Sequence, residues 1–244
     1  MGAIRFARGP TVDTPGVTSP RAILIDALGT LVNFERPGPH LRAELRDRLG
    51  LEVGEAQAKA AMRAEITHYR ANLHRGRDPH SLAELRRECA TVMLAELPPA
   101  AREADLGVIT DALVASIRFT PYPDAAATLS ALRERGLRIV VLSNWDFSLH
   151  EMLANTGLDA LVDGAVSSAE HGTAKPDPAI FEHALALAGV AAGEAWHVGD
   201  SPEADVVGAQ AAGVEPIYVA RDDSPPPAGV VAIDQLAELL ALLD

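Results

Sequence analysis

Residues 21–34 read RAILIDALGTLVNF. Four apolar residues, Ala22 to Ile25, run straight into a carboxylate, Asp26, and Gly29-Thr30 then interrupts a second apolar stretch. A short apolar run bounded by turn residues reads as a strand buried on both faces. A carboxylate at the end of such a strand is costly to bury unless it has a partner or a task. Asp26 is therefore the first candidate functional residue of the chain.

The same pattern returns after residue 119. Short apolar runs at LRIVVLS (137–143), GAVSS (164–168), AWHVGD (195–200) and EPIYVA (215–220) alternate with helical stretches near 123–135, 148–156, 178–189, 203–212 and 233–243. Strand–helix alternation with continuously apolar strands predicts an α/β fold with a doubly wound, Rossmann-like parallel sheet. Between 36 and 118 the period is helical throughout. Leu41, Leu45 and Leu49 form one stripe, and Met62, Ile66, Tyr69 and Leu73 a second. Leu82, Leu85, Cys89 and Val92 make a third. Leu106, Ile109, Leu113 and Ile117 form a fourth, after a break at Pro98-Pro99. The organisation expected is a flexible N-terminal tail at 1–20, a Rossmann-like core from 21–35 and 119–244, and a four-helix domain at 36–118 inserted after the first strand. DDSPPPAG (222–229) reads as a surface loop.

Composition narrows the function. No run of 18 apolar residues occurs, so no membrane span is expected. The first 20 residues lack the apolar segment of a secretory leader. Cys89 is the single cysteine, which excludes a disulfide framework and a cysteine zinc site. Together these features point to a cytoplasmic protein. A net charge of −13 argues against nucleic acid as a partner. The charge is unevenly spread: residues 36–118 hold 13 Lys/Arg and 12 Asp/Glu, the rest 8 and 22. A small anionic substrate would find its cations most readily in the inserted domain, where Arg63 and Arg70 flank the Met62–Tyr69 stripe at heptad spacing.

Open α/β sheets bind ligands outside the carboxyl ends of their strands. Those ends carry Asp26, Ser143-Asn144 and Asp200-Ser201, while Lys175 lies in the loop HGTAKPDPAIF and Asp205 follows Asp200 by five residues. Asp26, Asp200 and Asp205 would converge on one site with a single Lys and a hydroxyl. Such a cluster must share protons or a cation, and oxygen-only donors suit Mg²⁺.

These residues carry a resemblance. DALGTL (26–31), LSNWD (142–146), KPDPAIF (175–181) and HVGDSPEAD (197–205) resemble motifs I to IV of the haloacid dehalogenase-like hydrolase superfamily, in the family order and across about residues 21–220. The resemblance implies that the inserted helices are a cap of the first type. It implies that Asp26 is a nucleophile forming a covalent aspartyl intermediate. Ser143 and the backbone N–H of Asn144 would hold the transferring group, and Lys175 would bridge Asp26 and the substrate. Asp26, the carbonyl of Leu28 and Asp200 would hold Mg²⁺, with Asp205 as a further ligand or water-holding partner. Thr30, Arg63 and Arg70 complete the candidate substrate contacts.

Two departures stand out. Family phosphatases carry a second Asp two residues after the nucleophile as general acid and base; here that residue is Leu28. The dehalogenases also lack that Asp, but their fourth motif replaces the metal-binding acid with Ser and Asn, whereas GDSPEAD keeps it. Phosphonoacetaldehyde hydrolases combine an apolar residue there with Mg²⁺ and a cap lysine; Lys59, the one Lys of this cap, lies close to Asp26 in sequence for that role. The expected function is Mg²⁺-dependent hydrolysis of a small organic phosphate. The alternatives are a carbon-centred, 2-haloacid dehalogenase-like hydrolase and a phosphate-binding module with little or no turnover.

Overall fold

A computed structural model describes residues 5–6, 19–221 and 225–244. Most of the expected tail, and residues 222–224 of the expected surface loop, lie outside the described residues. The described residues form two compact units, those within 1–33, 121–144 and 149–244 in one, and residues 34–120 with 145–148 in the other.

The first unit is built on strands β1 (Arg5–Phe6), β2 (Ala22–Ile25), β5 (Arg138–Ser143), β6 (Gly164–Ser167), β7 (Ala195–Gly199), β8 (Glu215–Val219) and β9 (Val231–Ile233). Among the described residues these form one sheet in the order β1-β9-β8-β7-β2-β5-β6, parallel except for the edge pair β1–β9. Arg5–Phe6, expected to be loose tail, is thus a sheet edge. All four residues of β2 are buried, because Ala22–Ile25 lie between Arg138–Val141 of β5 and Ala195–Val198 of β7. The chain leaves β2 toward β5 and β6, then returns to β7 on the opposite flank and continues outward. The switch between those two directions falls between β2 and β7, where a doubly wound sheet opens its crevice.

Helices cover both faces. On one, Leu24, Val140, Leu142 and Val166 pack against Ile180, Phe181, Ala184 and Leu185 of α8 (Pro178–Ala188), beside α9 (Gly208–Ala211). On the other lie α5 (Ala125–Glu134) and α10 (Leu239–Leu242), which bury Leu129, Leu132 and Leu239. Helices α6 (Leu149–Thr156) and α7 (Ser168–His171) follow β5 and β6. Two boundaries differ from expectation. The stretch near 203–212 is a π-helical turn, Pro202–Val207, followed by α9. The stretch near 233–243 begins as strand β9, and its helical part starts only at Leu236.

The second unit holds α1 (Pro37–Leu49), α2 (Glu55–Asn72), α3 (Pro79–Ala95) and α4 (Leu106–Ser116). Its core collects Leu41, Leu45, Met62, Leu85, Cys89, Met93, Ile109 and Leu113. On α3 the stripe ends on buried Met93, with Val92 half-buried. Asp78 and Ser81 form a reciprocal cap that starts α3, and Asp105 caps α4. Within this unit Asp146 is buried and accepts a hydrogen bond from the Tyr69 hydroxyl at 2.9 Å, while the Phe147 N–H donates to the Gly76 carbonyl at 2.8 Å. The short strands β3 (Val32–Phe34) and β4 (Phe119–Pro121) pair along the two linkers. Among the described residues no helix is long and apolar enough to cross a membrane.

Candidate active site

Asp26 leaves the carboxyl end of β2 with its N–H bonded to the Val198 carbonyl of β7 at 2.9 Å. The chain then turns tightly: the N–H groups of Leu31 and Val32 both donate to the Ala27 carbonyl at 2.9 Å. Gly29 is required twice in this turn. Its φ is +85°, and a Cβ there would land on the Asp200 carboxylate. The turn therefore brings the first and fourth motifs together.

Asp26 is buried, its side chain 9% accessible. Its Oδ1 accepts the Ser143 hydroxyl at 2.9 Å and the Lys175 ammonium at 2.6 Å. Both bonds fall on the same oxygen, so Oδ2 is engaged by neither. Lys175 also donates to Asp205 Oδ1 at 2.5 Å. Its backbone is held by the Asn144 side chain, which donates to the Lys175 carbonyl at 2.9 Å and accepts from its N–H at 2.8 Å. The following helix starts at Pro178, capped by Asp177, so Lys175 stands on a loop just before it.

Asp205 sits in the π-helical turn. It accepts from Lys175, from the His197 ring at 2.9 Å and from the Ser201 N–H at 2.9 Å. π-Turns recur at functional sites because they re-aim a side chain. Gly199 makes room here, since a Cβ at that position would strike the Asp205 carboxylate.

The electrostatics follow from burial and from one ammonium among three acids. Burial raises the Asp26 carboxyl above its ordinary range, against the pull of Lys175, and the charge of Asp205 adds to the rise. Asp205 is buried too, yet Lys175 and His197 outweigh burial and hold it well below the usual carboxylate range. Asp205 and Asp26 likewise overcome burial at Lys175 and raise it, so it stays an ammonium. Asp200 is pushed up to about 7 by burial and by the negative charges of Asp26 and Asp205. Burial lowers His197, which is neutral and donates from Nε2 to the ionised Asp205; the ring's Nδ1 has no partner among the described residues.

One carboxylate oxygen from each of Asp26, Asp200 and Asp205 lies within 4.8 Å of the others. With all three ionised, a single ammonium leaves two negative charges. An all-oxygen donor set with that excess charge fits a hard divalent cation such as Mg²⁺. Asp205 already takes three hydrogen bonds, which suits a water-holding role better than direct ligation.

The other candidates fall differently. Thr30 is fully buried and offers no exposed surface to a substrate, because the turn directs it inward. Asn144 holds the Lys175 loop through its side chain. Leu28 is 39% exposed, an apolar side chain two residues past Asp26. Arg63 and Arg70 occupy exposed positions of α2 in the helical unit. The sequence reading missed His197 and Gly199. A histidine inside the apolar run AWHV, three residues before Asp200, was the available signal.

A family model described as haloacid dehalogenase-like hydrolase matches residues 20–213. Over 126 residues the chain is 39% identical to haloacid dehalogenase-like hydrolase domain-containing protein 3 of Bos taurus, covering 49% of this chain and 50% of that protein. Over 105 residues it is 43% identical to a phosphoserine phosphatase of Thermus thermophilus, covering 43% of this chain and 42% of that protein. The chain thus spans about half the length of the curated relatives it matches. Among solved structures, a defluorinating L-2-haloacid dehalogenase superposes with a TM-score of 0.70 at 26% identity, covering 91% of this chain and 94% of that one.

Proposed function

The chain belongs to the haloacid dehalogenase-like hydrolases, and from that premise we propose that it hydrolyses a small organic phosphate through Asp26, with Mg²⁺ as cofactor. The observation that carries the reading is that carboxylate oxygens of Asp26, Asp200 and Asp205 gather within 4.8 Å of one another, while Lys175 pairs with Asp26 and Asp205 alone. An enzyme acting through the aspartate alone uses Asp205 to hold Lys175 but has no need of Asp200. The substrate is a small anion; the net charge of −13 weighs against nucleic acid. Cys89, a buried free thiol, suits a reducing cytoplasm.

Asp26 and Asp200, with the Leu28 carbonyl that the family resemblance suggests, would hold the metal, and Asp205 would orient its water. Mg²⁺, when bound, supplies countercharge to the phosphoryl group. The protein's own groups supply position. Ser143 and Lys175 fix Oδ1 of Asp26 and leave Oδ2 to attack phosphorus and displace the leaving group. Lys175 opposes the rise that burial imposes on the Asp26 carboxyl, and Asn144 fixes Lys175. Water must then hydrolyse the aspartyl phosphate. Leu28 cannot take that water's proton, so this step is the slow one.

Leu28 also supports a second reading, a carbon-centred hydrolase in which Asp26 attacks a 2-haloacid. A panel of phosphomonoesters and 2-haloacids assayed with and without Mg²⁺ separates the two. Phosphate release that requires Mg²⁺ is the expected result. Halide release without metal would establish the second reading. Phosphate binding without turnover of either class would mark a binding module.

A further inference from the structure

A second polar cluster in the first unit grips the nucleophile turn from outside. Arg221, just past β8, and Asp124, just before α5, form a two-pronged ion pair. Nη1 lies 3.1 Å from Oδ2 and Nη2 3.1 Å from Oδ1, with both side chains 14% accessible. Nη2 donates again, to the Thr30 carbonyl at 2.9 Å. The guanidinium lies 3.9 Å from the centre of the Tyr122 ring, and the Tyr122 N–H donates to the Leu31 carbonyl at 2.9 Å. Asp124 Oδ2 also accepts from the Leu236 N–H at 2.7 Å. Two successive carbonyls of the turn, Thr30 and Leu31, are therefore tied to one clamp.

The turn needs such a hold. It pivots on Gly29, the residue with the freest backbone, and carries Asp26 on one side of that pivot and the clamped carbonyls on the other. We propose that Arg221 is a positioning residue. By fixing the Thr30 carbonyl it sets where the Asp26 carboxylate and the Leu28 carbonyl stand relative to Asp200, and so sets the site's grip on a divalent cation. This rests on the metal-dependent reading above. The chemistry calls for arginine in particular, because only a planar fork can hold a carboxylate with two N–H groups while giving another to a carbonyl.

The test compares wild type with Arg221→Met, Arg221→Lys and Arg138→Met. Arg138 pairs with Asp163 at 2.8 Å at the opposite end of the sheet and controls for loss of an ion pair as such. Mg²⁺ affinity is read by calorimetry, and kcat and KM at saturating Mg²⁺ on an aryl phosphate. Outer partners of metal ligands are typically worth about 10–100-fold in affinity or activity. Arg221→Met is expected to weaken Mg²⁺ about 10-fold and to lower kcat with KM little changed. Arg221→Lys should not restore either, and Arg138→Met should match wild type. Wild-type affinity and kcat in Arg221→Met, or equal losses in Arg138→Met, would overturn the inference alone. No Mg²⁺ binding by wild type would remove the functional reading and the inference with it. If Arg221→Met does not fold, Asp124→Asn, which loosens the same clamp, carries the test with the same outcomes.

Discussion

Replacing Lys175 with Met removes the one ammonium from the carboxylate cluster while nearly keeping side-chain length. The loss is therefore electrostatic, with little cavity. The Lys175 side chain is 2% accessible, and its Nζ sits 2.6 Å from Asp26 and 2.5 Å from Asp205. Removing one partner of a buried ion pair typically costs about 3–5 kcal/mol, since the other charge stays buried and unpaired. One ammonium serves two carboxylates here, which places the expected loss at the upper end, about 4–5 kcal/mol. The pH dependence has a definite sign. The folded-state pKa of Lys175 is raised above 10.5, so its contribution is complete across the neutral range and is lost only as pH rises through that higher value. In the variant Asp26, already raised from 3.8, rises further. Its penalty shrinks as pH falls through the new value and is gone below 3.8. Urea denaturation in EDTA near pH 8 and near pH 5 measures this, with the larger gap between wild type and Lys175→Met expected near pH 8. A gap below about 1 kcal/mol near pH 8, less than a typical buried pair, would refute the reasoning, as would a gap that widens on acidification.

Two further substitutions probe other parts of the account. Glu65 is 2% exposed in the helical core, where burial pushes its carboxyl from 4.5 up to about 7 despite a hydrogen bond from Cys89. Because the folded state holds this proton more tightly, stability falls as pH rises from 4.5 to about 7. Glu65→Gln should therefore stabilise the protein above neutrality by up to about 3 kcal/mol and do nothing near pH 4.5; denaturation curves at the two pH values decide it. Leu28→Asp should raise turnover of an aryl phosphate. Leu28 is 39% exposed, so a carboxylate there stays hydrated, and general acid–base catalysis is typically worth about 10²–10⁴-fold. A folded, Mg²⁺-binding Leu28→Asp enzyme no faster than wild type would mean that the missing proton carrier is not the limitation.

The parts of this molecule legible in the sequence are those with a local signature. β2, β5, β7 and β8 are apolar runs, and the polar residues that end the first three name Asp26, Ser143 and Asp200 directly. The inserted helices announce themselves by stripes such as Leu41–Leu45 and Ile109–Leu113. What stayed hidden depends on residues distant in sequence. Arg221 meets Asp124 and Thr30 only once β8 lies in the sheet, and nothing near Arg221 marks it. His197 sits inside an apolar strand, and its bond to Asp205 requires the π-turn that follows. β9 reads VAI and merges with the apolar helix after it, so its strand character comes from pairing with β8. Thr30 is named in the sequence as a candidate substrate contact. In the structure it follows a glycine of positive φ and is fully buried.

Titration calorimetry with Mg²⁺ on wild type and Asp200→Asn tests the central claim most directly. The account predicts about one Mg²⁺ per wild-type chain, since the three acids form a single oxygen site. It also predicts severe weakening in Asp200→Asn, which removes a ligand charge while leaving Lys175 on Asp26 and Asp205. Negligible heat from both proteins, or the same affinity in both, would contradict it.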